Sequence, residues 1–143
     1  MEERVTCVIA GGGPAGIMAS LLLAGGGVEV LLLEKHGDFL RDFRGDTVHA
    51  STIRLMDQLG LGEAFRKLPQ TRLGAFNLPT PDGKEIPLGD FSGLPKPYDY
   101  IALLPQWDFL NFLVDAAKRE PKFAIRMNVE AKIFLTRKLA YSA

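Results

Sequence analysis

The stretch VIAGGGPAGIMAS, Val8 to Ser20, sets a short apolar run against an Ala- and Leu-rich one, with Gly11, Gly13 and Gly16 between them. Val5 to Ala10 is β-branched and apolar, as expected of a strand buried on both faces. Pro14 to Ala24 suits a buried helix, and Gly25, Gly26 and Gly27 stop it. Val28 to Leu33 (VEVLLL) follows as a second strand. Two strands joined by one helix within about 30 residues form a βαβ unit, so they are expected to run parallel.

The glycines have a chemical reading. A pyrophosphate is anionic, and a helix N-terminus offers it unpaired N–H groups and the positive end of the helix dipole. Side chains at the loop would keep the phosphates away. Gly11 allows the turn out of the strand, Gly13 the approach of the pyrophosphate, and Gly16 close packing of helix on strand. Pro14 fits the first helical turn, where a missing N–H is harmless. Glu34 ends the second strand 18 residues after Gly16, where an acid can accept hydrogen bonds from ribose hydroxyls. Lys35, the next residue, is a further candidate contact. Strand, glycine loop, helix and acid together point to dinucleotide binding, and leave FAD and NAD both open.

Outward from this unit, the text from Gly37 to Thr47 is charged and irregular. Ser51 reads as the N-cap of a helix over Thr52 to Leu59, stopped by Gly60. LGAFNL and KEIPL flank PTPDG, a turn between two short antiparallel strands. DYIALL (Asp99 to Leu104) is a strand candidate, Trp107 to Lys118 an amphipathic helix with Phe109, Leu110, Phe112, Leu113 and Ala116 on one side, and Phe123 to Met127 a last strand. The fold class is α/β: a Rossmann-like βαβ domain with a small antiparallel β insertion, occupying residues 1–143 as one domain.

Composition narrows the function. The 17 basic and 17 acidic residues give no electrostatic case for nucleic acid or an anionic membrane. The longest nearly apolar stretch, Gly16 to Val28, is too short and glycine-rich to span a bilayer. MEERVT is no secretory leader. The single cysteine, Cys7, excludes an internal disulfide and a cysteine zinc site. A cytoplasmic protein without metal is expected.

Three linked motifs, GGGPAG, then LLLEKHGDFLRDFRGDTVHASTIRLMDQLGL, then LLPQWDFLNFLVDAA, resemble the N-terminal part of the FAD-dependent monooxygenases of the para-hydroxybenzoate hydroxylase fold, the group A aromatic hydroxylases. The resemblance runs from about Val5 to about Val129. It implies FAD as cofactor, NAD(P)H as reductant and O2-dependent hydroxylation of a small organic, aromatic substrate. It places Gly11, Gly13, Pro14, Ala15 and Gly16 on the pyrophosphate loop and Glu34 on the adenosine ribose. It implies Arg44 and Gln106 as contacts to the phosphate and ribityl region, and Val129 as a backbone contact to adenine. It names no catalytic residue here.

The chain departs from that pattern in two places. AGGGV ends the first helix, where relatives have fewer glycines. From about residue 132 the text KIFLTRKLAYSA leaves the family pattern, and two further motifs of the family, an Asp-Gly and a Gly-Asp segment, do not follow. The chain is therefore read as a truncated FAD-binding portion, too short for turnover alone. A non-catalytic or vestigial dinucleotide-binding fragment and an NAD-dependent dehydrogenase domain stand as alternatives.

Overall fold

The computed structural model describes residues 4–40 and 47–132, which divide into two compact units. The first comprises the chain up to Phe39 and from Leu113 onward; the second is Leu40–Phe112.

In the first unit, β1 (Cys7–Ala10), α1 (Pro14–Gly25) and β2 (Val30–Leu33) form the expected βαβ unit. β1 and β2 are parallel, with Cys7 opposite Val30 and Ala10 opposite Leu33. A third parallel strand, β8 (Phe123–Arg126), flanks β2 on its other side, giving the order β1-β2-β8. Ile17, Ser20, Leu21 and Ala24 are the buried residues of α1, at helical spacing. The buried Ser20 hydroxyl is satisfied by donating to the Gly16 carbonyl at 2.8 Å. Gly27, at φ 86°, turns the chain after α1, where its N–H bonds the Ala24 carbonyl.

Here the sequence reading needs correction. β1 is not buried on both faces: among the described residues it pairs only with β2, and Val8 is 45% exposed. The fully buried strand is β2, where Val30, Leu31 and Leu32 lie between neighbours on both sides. An apolar run says that a strand wants burial, not that neighbours are present to provide it. Cys7 is likewise half-buried rather than buried.

The second unit holds β3 (Thr47–Val48), α2 (Ala50–Gln58), α3 (Gly62–Arg66), β4 (Thr71–Leu73), β5 (Ala75–Pro79), β6 (Glu85–Asp90) and β7 (Ile101–Leu103), together with the start of α4 (Gln106–Ala117). β7 lies between β3 and β4, antiparallel to both. β5 and β6 make the expected hairpin around PTPDG, closed by the Thr80 N–H to the Lys84 carbonyl at 2.8 Å. α2 starts earlier than expected: its N-cap is His49, and Ser51 lies inside the helix. Phe65 is fully buried, with the Phe109 ring edge-on at 5.9 Å and Phe112 tilted against it at 6.1 Å.

Candidate functional site

The C-terminal ends of β1, β2 and β8 carry the site, as expected for a parallel sheet. Gly11 leaves β1 at φ 106°, a conformation that side chains disfavour, and its N–H donates to the Leu33 carbonyl at 2.8 Å. Gly16 lies against that same turn: a Cβ there would collide with the Gly11 carbonyl oxygen. These two glycines are needed by the protein itself.

Gly13 is different. It caps α1 in an extended conformation open to any residue, and a Cβ there would meet nothing within 4 Å. The space beside it is open among the described residues. No acidic side chain compensates the first turn of α1. The N–H groups of Gly13, Ala15 and Gly16 have no partner within the helix, whose first intrahelical bond is from the Ile17 N–H to the Gly13 carbonyl at 3.0 Å. Pro14 has no N–H to satisfy. Gly13, Pro14 and Ala15 are exposed. The loop is a bare backbone cradle facing solvent at the positive end of a helix dipole.

Glu34 closes one side of it. Its side chain is 4% exposed, and its carboxylate accepts the Gly12 N–H at 2.6 Å and the His36 N–H at 2.9 Å. Gly12 itself is buried, and a Cβ there would stand 3.0 Å from both Glu34 Oε2 and the Phe39 ring. The acid is thus locked to the glycine loop rather than merely near it. Lys35 follows as an exposed residue.

The third strand completes this side. Val129 donates its N–H to the Glu34 carbonyl at 2.9 Å, and Asn128, at φ 60°, donates its own to the His36 carbonyl at 3.0 Å. Gly37 packs against the Asn128 side chain, within 3.0 Å of where a Cβ would sit. The segments after β2 and after β8 are stitched together. Sequence reading missed Gly12, Phe39 and Asn128; the only local signals were the second glycine of GGG and the tolerance of Asn for left-handed backbone.

The structure therefore brings Gly11, Gly13, Pro14, Ala15, Gly16, Glu34, Lys35 and Val129 together at one end of one sheet. Gln106 opens α4 in the second unit, half-buried, just after Pro105, whose carbonyl accepts the Asp108 N–H at 3.0 Å. Arg44 lies outside the described residues. A groove of about 910 Å³ in the second unit, lined among others by His49, Arg54, Gln58, Phe91 and Tyr98, contains none of these candidates. Among the described residues no cluster of three or more His, Cys, Asp or Glu could hold a metal, and no helix is long and apolar enough to cross a membrane.

A parallel βαβ sheet with an open glycine cradle and a buried acid at the next strand end defines a dinucleotide-binding unit. The chain belongs to the FAD binding domain family, which it matches over residues 4–139. It is 33% identical over 117 residues to the 6-methylpretetramide 4-monooxygenase of Streptomyces rimosus, a match covering 82% of this chain and 28% of the relative. It is 36% identical over 104 residues to a 12-dehydrotetracycline 5-monooxygenase/anhydrotetracycline 6-monooxygenase of the same species, covering 72% of this chain and 20% of that one. Among solved structures, the p-nitrophenol 4-monooxygenase of Pseudomonas putida superposes with a TM-score of 0.77 at 28% identity, over 90% of this chain and 33% of that chain. The chain thus spans less than a third of the curated relatives it matches. The FAD expectation, the α/β fold and the family resemblance are all supported by these likenesses.

Proposed function

We propose that these residues hold the adenosine diphosphate portion of FAD within a flavin-dependent monooxygenase. One observation carries the reading: the Gly13 position is open although folding does not require it, beside a buried carboxylate anchored to the same loop. In this reading the N–H groups of Gly13, Ala15 and Gly16 donate to the pyrophosphate oxygens. Gly11 and Gly16 keep the loop tight, and Pro14 sets the first helical turn. Glu34 accepts the ribose hydroxyls, since a carboxylate has room for about four hydrogen bonds. Lys35 borders the sugar from solvent. The Val129 N–H is taken by Glu34, so its carbonyl is the group left to face the adenine. Arg44 and Gln106 contact the phosphate and ribityl portion, a role that suits a permanently charged guanidinium.

Bound FAD would supply the redox chemistry, with NAD(P)H as reductant and O2 as oxidant. The residues of this chain bind and orient it; none is assigned a proton transfer. The names of the relatives above, which specify methylpretetramide, tetracycline and nitrophenol compounds, support an organic, aromatic substrate. The two compact units count as one FAD-binding domain in this reading. A cytoplasmic location accords with the balanced charge and lone cysteine.

The test is a titration with FAD, ADP and FMN. FAD and ADP are expected to compete for one site, while FMN, which lacks the adenosine, does not bind. Gly13→Val should weaken FAD and ADP at least about tenfold, or 1.4 kcal/mol, with an unchanged circular dichroism spectrum. A chain that ignores FAD and ADP, or binds FMN equally well, would refute the reading.

A further inference from the structure

We infer that the groove along α2 is a binding site for an aromatic carboxylate, held by Arg54 at its anionic end and by the rings of Phe91 and Tyr98 along its body. The groove lies wholly within the second unit and shares no residue with the FAD candidates, so the site does not rest on the FAD reading.

One wall is helical. Ser51, Arg54 and Gln58, spaced three and four residues apart, line the groove from one face of α2. All three are exposed, and none of their side chains makes a hydrogen bond or ion pair among the described residues. For Arg54 this runs against its spacing. Asp57 stands three residues on, near enough on a helix to pair with it. Asp57 is instead gripped at two points by Arg66, at 3.0 and 2.8 Å, and accepts a further hydrogen bond from Tyr98. The acid of α2 is thus engaged, and none of the residues lining the groove is acidic. Other cations of the chain are better served: Lys67, Lys84 and Lys118 stand 2.7, 3.3 and 3.7 Å from carboxylates. The charge of Arg54 is left for something else.

The facing wall is apolar and already formed. Phe91, Leu94, Pro95 and Tyr98 supply it. Two consecutive turns hold it, from the Leu94 N–H to the Phe91 carbonyl and from the Tyr98 N–H to the Pro95 carbonyl, both at 2.9 Å. The Phe91 N–H bonds the Gly74 carbonyl at 2.8 Å, and its ring stacks on Phe76 at 6.5 Å. The bond to Asp57 fixes Tyr98. A ligand therefore has little left to order. The two walls ask for two properties in one molecule. A guanidinium takes a carboxylate at two points, and aromatic rings pack against a flat apolar body. Inorganic phosphate would meet the charge and leave the rings bare; a neutral hydrocarbon would do the reverse. The volume, about 910 Å³, admits a ligand of several fused rings.

The test titrates the chain with 2-naphthoate, 2-naphthamide and acetate while following its backbone amide resonances. 2-Naphthoate is expected to move those of Arg54, Gln58, Leu94 and Tyr98, with a dissociation constant of about 1 mM or below that rises with added salt. The neutral amide and the ringless acetate should bind at least about tenfold more weakly. Arg54→Gln should weaken 2-naphthoate at least about tenfold and Arg54→Lys less, since an ammonium keeps the charge and loses the fork. Leu94→Glu, which brings a carboxylate to the groove, should cost at least about tenfold as well. Arg54 and Leu94 are both exposed, so the melting temperature should hold in each variant. Saturating ADP should leave 2-naphthoate bound. No movement of these resonances at about 10 mM ligand, equal binding of 2-naphthamide or acetate, an unchanged affinity in Arg54→Gln, or displacement by ADP would each overturn the assignment.

Discussion

At the scale of single residues, Gly13 and Gly16 lie three positions apart yet do different work, and substitution can tell them apart. Gly16→Ala puts a methyl group onto the Gly11 carbonyl and should destabilise the fold by about 1–3 kcal/mol, read from a denaturant melt. Gly13→Val adds a larger group to open space, so the same melt should not move while nucleotide affinity falls. Glu34→Gln tests the other wall. It sets an amide against two backbone N–H groups that now meet a carboxylate, and a loss of about 1–3 kcal/mol in stability is expected. Glycine spacing and the acid were legible because each is written in one residue. Phe39 and Asn128 were not, because their roles arise only when the folded chain brings Phe39 against Gly12 and Asn128 against His36 and Gly37.

At the scale of elements, the corner between α2 and α3 gives a pH-dependent signal. Arg66 Nη1 donates to Asp57 Oδ2 at 3.0 Å and Nη2 lies 2.8 Å from Oδ1, a two-point ion pair. That contact, ahead of an added hydrogen bond from Tyr98, holds the Asp57 carboxyl below the usual carboxylate range. A depressed carboxyl stabilises the fold above its unfolded value and loses that contribution as pH falls through the folded one. Stability should therefore be level from neutral pH to about 5 and decline below about 4. Asp57→Asn should remove up to about 1 kcal/mol at neutral pH and flatten that decline, measured as melting temperature against pH. This corner also marks a limit of periodicity. The βαβ unit, the hairpin and α4 each run long enough to show a period, whereas β3, α3 and β4 span only two, five and three residues. β3 and β4 exist because β7 offers an edge on each side, which no local pattern announces. α2 begins at a residue that makes no side-chain cap bond, so the stronger capping type at Ser51 misdirected the boundary by two residues.

At the scale of the whole molecule, ligand and stability are linked. A ligand that binds only the folded chain at 100 times its dissociation constant should add about 2.7 kcal/mol. FAD and ADP should accordingly raise the melting temperature together, and FMN should leave it where it was. The stitching of Val129 to Glu34 and of Asn128 to His36 carries a different consequence, one of timing. Ribosomes deliver the glycine loop and its acid early, yet the wall beside them waits for a segment made some ninety residues later. A nascent chain halted after α4 would carry a half-built nucleotide pocket, and flavin capture during translation would begin only once β8 had emerged.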